Sequence, residues 1–138
     1  MKFFDGVRVS IMGSLTALCF SSCREMKTND PVQSYKYWSG SLPPSGVKVI
    51  HGAYWQSAHW SKEYILYLEL QTPTDWMSQF NSQNNLKATN DAAMPSDTPS
   101  WFSPGEGAKI FKRIGDDQGS CYFEIPSTGK IFIYEIQL

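Results

Sequence analysis

The chain is poor in the residues that usually carry covalent or metal chemistry. Its only histidines are His51 and His59. On an unbroken strand, eight residues at about 3.3 Å each would set them some 26 Å apart, too far to share a metal. No zinc or iron site is expected from them, and no cofactor. There is no G-x-S-x-G element, and Ser57 lies only two residues before His59, so serine hydrolase chemistry is not expected. Gly105-Glu106-Gly107 lacks the length and the following Lys-Ser/Thr of a phosphate-binding loop. Asp116-Asp117, with glycines at 115 and 119, reads as a solvated turn rather than a carboxylate pair. Charge is scarce in either sign, with 12 Lys+Arg against 13 Asp+Glu and no basic run. That balance excludes the electrostatic footprint of a nucleic-acid binder. No long apolar run is present either. The fourteen uncharged residues from Val9 to Ser22 make about 21 Å of helix, against a hydrocarbon core of about 30 Å.

The uncharged run has another reading. Lys2 and Arg8 precede it, Val9–Phe20 supplies an apolar stretch of signal-peptide length, and Phe20-Ser21-Ser22-Cys23 closes it. This end resembles the lipobox of bacterial lipoproteins, in which small residues precede a cysteine that is acylated and becomes the mature N-terminus. The resemblance covers Met1–Cys23 alone, and Phe20 stands where leucine is usual. It implies a signal peptide over residues 1–22, lipidation of Cys23 and a cell-envelope location. Arg24 after the cysteine, rather than Asp, implies the outer membrane in a host with two membranes. Acyl chains contribute about 0.8 kcal/mol per buried CH₂, so more than one chain gives stable attachment to the bilayer.

The 116 residues that would remain suit one domain. Without Lys2, Arg8 and Asp5 they hold ten cations and twelve anions, a net charge of −2. Cys121 would be their one unlipidated cysteine, which excludes a disulfide framework and reads as a small buried hydrophobe. All five tryptophans (Trp38, Trp55, Trp60, Trp76, Trp101) lie in this part.

Residues 23–34 are polar and unpatterned and read as a flexible tether, with a reach of about 20 Å. A single globular domain over 35–138 follows. Val47–His59 reads as a strand bent at Gly52, and Glu63–Gln71 as a central strand buried on both faces. Thr72-Pro73-Thr74-Asp75 predicts a helix start capped by Thr72, with Trp76 and Phe80 facing the sheet and Met77 at the edge of that stripe. Lys87–Pro99 reads as a surface loop. Ala108–Ile114, Ser120–Ile125 and Lys130–Gln137 are three further strands joined by turn-forming residues. The expectation is an α+β domain, an antiparallel sheet of about five strands with one helix packed on a face.

The densest unusual stretch is His51–Trp60. Alternation places His51, Ala53, Trp55, Ser57 and His59 on one side and Gly52, Tyr54, Gln56, Ala58 and Trp60 on the other. The candidate binding surface is Tyr54, Trp55, Gln56, His59 and Trp60, with either side of the strand free to be the exposed one. Aromatic rings beside hydrogen-bonding groups suit a protein, peptide or sugar. A lipobox, a short tether and a small domain without catalytic groups resemble small bacterial lipoproteins, some of which serve as immunity proteins against toxins. The resemblance implies a non-catalytic binding domain with a protein partner, a toxin or an envelope protein. A glycan- or cell-wall-binding module is the alternative.

Overall fold

The computed structural model describes residues 24–115 and 118–138. The expected signal stretch 1–22, Cys23 and Asp116-Asp117 lie outside the described residues. In chain order the elements are β1 (Met26–Thr28), α1 (Pro31–Ser39), β2 (Lys48–Gln56), β3 (Tyr64–Gln71), α2 (Trp76–Asn84), β4 (Leu86–Thr89), β5 (Lys109–Arg113), β6 (Cys121–Ile125) and β7 (Lys130–Gln137). The strands form one antiparallel sheet in the order β1-β2-β3-β7-β6-β5-β4. Two meanders, β1-β2-β3 and β4-β5-β6-β7, thus meet along β3 and β7.

The α+β class and the antiparallel sheet are as expected, but there are seven strands and two helices rather than five and one. The additions are β1, α1 and β4. The stretch read as a tether holds β1 and the first four residues of α1. Asp30 caps that helix, its Oδ1 accepting the Gln33 N–H at 2.7 Å, and Pro31 occupies the first turn. Gly40, at φ +79°, closes it and donates to the Lys36 carbonyl at 2.9 Å. The short strand β4 takes up the first three residues of the stretch expected as loop, with Leu86 before them, and pairs with β5 from Leu86↔Arg113 to Thr89↔Ile110.

The expected start of α2 is also displaced. The Thr72 N–H and hydroxyl both donate to the Gly129 carbonyl, at 3.0 and 3.2 Å, and pin β3 to the β6–β7 turn. The helix begins at Trp76, after Asp75. Met77 is its buried residue, whereas Trp76 and Phe80 are half-buried and stack on each other at 4.9 Å.

Two cores explain why β3 and β7 are nearly apolar throughout. Leu66, Leu68, Leu70, Ile131 and Ile133 point to the helix side, together with Tyr35, Tyr54, Met77 and Tyr122. Tyr67, Phe132 and Tyr134 point the other way, with Cys121, Phe123 and Phe102. Trp101, Met94 and Ala92, from the segment between β4 and β5, pack over this second side. Full burial of each leucine contributes about 1.5–3 kcal/mol. The close seat of α1 needs Gly52, since a Cβ there would lie 2.8 Å from Ser34 Cβ and 3.0 Å from Pro31 Cα.

Candidate functional site

Strand β2 decides what becomes of the expected binding surface. Its partners run from Lys48↔Gln71 to Gln56↔Tyr64, with a register irregularity between Val49 and His51. The five candidate residues do not form one surface. Tyr54 is buried under α1, in contact with Tyr37, stacked on Tyr64 at 5.9 Å and donating to Gln56 Oε1 at 2.8 Å. This corrects its reading as a surface ring. The strand ends at Gln56, so alternation does not govern His59 and Trp60. Both stand exposed in the β2–β3 connection, Trp60 at 95 %. Trp55 alone of the five belongs to the side opposite the helices. The choice between two faces was too simple, because each side of the sheet carries a core.

Trp55 is half-buried in the wall of a cleft of about 370 Å³, near the lower end of the range for small-molecule sites. The cleft is bounded by Ala53, Tyr54, Trp55, Ile65 and Tyr67 from the sheet, Lys27 and Asn29 from β1 and the residue after its end, and Asp97 and Pro99 from the segment covering the second core. The indole Nε1 donates to Glu25 Oε1 at 2.6 Å, which fixes the ring plane. Tyr67 is held from below by Tyr134, stacked at 4.9 Å, and from the side by a hydrogen bond with Thr98. Burial raises the Tyr67 phenol above its ordinary value, the Thr98 bond lowers it and the Asp97 charge raises it further. Asp97, Lys27 and Asn29 are exposed, and no hydrogen bond among the described residues engages their side chains. A fixed aromatic wall with an unspent carboxylate, amide and ammonium offers an apolar ring face and both kinds of hydrogen-bonding group.

Two buried carboxylates lie elsewhere on the sheet, and the sequence reading passed over both. Glu135, on the helix side of β7, accepts Trp38 Nε1 and Tyr64 OH on Oε2, each at 2.8 Å, and Tyr122 OH on Oε1 at 2.6 Å. Arg113 Nη2 lies 3.8 Å from Oε1. The carboxylate thereby ties α1, β3, β5 and β6 to β7. Burial, then the charge of Glu135 and the hydrogen bonds to it, raise the phenols of Tyr64 and Tyr122 far above the ordinary tyrosine value.

Glu69, on the opposite side, accepts Lys130 Nζ at 2.8 Å and pairs with His51 Nδ1 at 2.7 Å. Burial works against its charge, but the bonds and charges of Lys130 and His51 outweigh it, and the carboxyl sits below its ordinary range. The His51 ring in turn stacks on Trp101 at 5.1 Å. This histidine couples the covering segment to the sheet, while Cys121 is fully buried in the second core. A glutamate inside an otherwise apolar strand, in ILYLELQ and IFIYEIQ, was the available signal for both clusters.

A larger concavity, about 610 Å³, runs along β4 and β5, but it has one ring, Phe111, and no carboxylate in its wall. No group of three metal-ligating side chains occurs among the described residues, and none of their helices is long and apolar enough to cross a membrane. Comparison with protein-family models, curated proteins and solved structures returns no significant match for this chain.

Proposed function

We propose that the chain is a lipid-anchored protein of the bacterial cell envelope whose domain binds a saccharide ring in the Trp55 cleft and does no chemistry on it. The anchor is Cys23, in the outer membrane where the host has two. What carries the binding reading is the Trp55 ring, held by Glu25, beside three polar side chains that no hydrogen bond among the described residues engages. The C–H face of a pyranose lies well on an indole, and its hydroxyls and amide substituents suit Asp97, Asn29 and Lys27. Two of the groups that could do chemistry are committed elsewhere. His51 is held between Glu69 and Trp101, and Cys121 lies in the core.

The test is calorimetric titration of the full chain, in a detergent without sugar headgroups, with N-acetylated envelope oligosaccharides. Binding should weaken at least about tenfold in Trp55→Ala, corresponding to about 1.4 kcal/mol, and stay unchanged in Trp60→Ala. Equal affinity in Trp55→Ala, or no binding by the unaltered chain, refutes the assignment.

A protein partner, as for an immunity-type inhibitor, is the second reading. It is favoured by Val32, Tyr37 and Leu42, which α1 and the turn after it leave exposed. A partner recovered in equal amount from the membrane and lost in Val32→Ser, Tyr37→Ser would support it.

A further inference from the structure

We infer that the end of the sheet carrying Trp60 rests on the bilayer, so that the domain is seated on the membrane rather than swinging from a tether. The inference rests on the reading of Cys23 as the acylated residue and goes beyond it. Met26, the first residue of β1, pairs with Gln56, the last residue of β2. Only three chain steps separate Cys23 from Met26, and at most about 3.6 Å per residue gives a reach of about 10 Å. Acyl chains on Cys23 therefore hold this end of the sheet within about 10 Å of the lipid surface, half the reach expected of a free linker.

Three large apolar side chains stand free at the same end, apart from those of α1 and the turn after it. Trp60 leaves from the β2–β3 connection at 95 % exposure, Leu138 follows β7 at 68 %, and Ile114 follows β5 at 48 %. The ladder explains why they come together. Tyr64 pairs with both Gln56 and Gln137, and Arg113 ends the strand antiparallel to β6. In water this exposure of tryptophan and leucine gains nothing. At a membrane interface tryptophan is favoured, with its ring among the headgroups and its N–H hydrated. Arg24 and Lys62 can extend charged tips past apolar stems at this end, but Glu25 and Glu63 balance them locally, and Arg113 faces Glu135 at 3.8 Å. The contact is therefore apolar in origin, and its occupant is the bilayer holding the acyl chains, with no need of anionic lipid.

The test uses the full chain extracted from its host membranes and reconstituted into phosphatidylcholine vesicles, alongside Trp60→Ala. Since Trp60 is almost wholly exposed, its removal leaves the fold intact, and the difference in emission between the two proteins reports that one ring. The expected result is loss of most of this difference emission when the lipid carries bromine near the headgroup, together with protection from an aqueous quencher. Flotation with the vesicles separates the two ideas. A chain that floats while its Trp60 emission stays open to the aqueous quencher overturns the seated domain and leaves the anchor standing. A chain that does not float overturns the anchor and the contact with it.

Discussion

Removal of one hydroxyl tests how the helix side of the sheet is held. Tyr122 is fully buried and its OH donates to Glu135 Oε1 at 2.6 Å. Tyr122→Phe keeps the ring, so no cavity opens, and it removes the short bond to Glu135 together with the longer one that the hydroxyl accepts from Arg113 Nη2 at 3.4 Å. A bond to a charged group contributes about 1.5–3 kcal/mol. Arg113 Nη2, at 3.8 Å from the same oxygen, is too far to replace it as it stands. Its guanidinium is half-exposed, however, and can shift inward, which brings the expected loss to about 2 kcal/mol. Urea unfolding followed by tryptophan emission should show a midpoint lowered by about 1 M at a slope near 2 kcal/mol/M, with the slope itself unchanged. In a Glu135→Leu background the same substitution should have less than about 1 kcal/mol of effect, because only the longer bond from Arg113 is left to lose. A loss of equal size in both backgrounds, or one below about 0.5 kcal/mol in the unaltered chain, would refute the carboxylate as the tie between these elements.

Gly52→Ala should destabilise the domain by about 2 kcal/mol, since the added Cβ meets Ser34 and the Pro31 backbone, and thermal melting would measure it. At alkaline pH the unfolded chain releases tyrosine protons near pH 10, whereas burial pushes Tyr134 up to about 12 and Tyr64 and Tyr122 higher still. The folded state then holds more protons than the unfolded one. Stability present below pH 10 should thus fall as pH rises through 12, as stability measured against pH would show. At acid pH the sign reverses. Glu69 sits below its ordinary 4.5, so its contribution is full above that value and lost as pH falls through the folded one, and Glu69→Gln should flatten that limb of the profile.

The sequence made the central strands legible because apolar and β-branched residues in them serve two cores at once. Glu63–Gln71 and Lys130–Gln137 lie close to β3 and β7 as found, and the residues between β6 and β7 form the turn their composition suggests. Helix α1 was not legible from composition, since its first half, Pro31-Val32-Gln33-Ser34, shows no apolar period. Its signals were positional: Asp30 before Pro31 at one end and Gly40 at the other, with Ser34, Tyr35 and Trp38 on the buried face. Strands β1 and β4, at three and four residues, are too short to show a period, and tertiary pairing alone makes them strands. Of the candidate site, Trp55 was readable as a ring on an alternating strand. Its neighbours Lys27, Asn29, Asp97 and Pro99 were not, because they reach the cleft from sequence-distant segments that only the sheet order brings together.

The binding claim is tested most directly by recording amide and indole NMR signals of the full chain in detergent during titration with an N-acetylated envelope oligosaccharide. The account predicts shifts centred on the Trp55 indole and on Lys27, Asn29, Ile65 and Asp97, with the β4–β5 concavity unmoved. Shifts confined to Ala88–Asn90 and Ala108–Phe111, which line that concavity, or none at all, would contradict it.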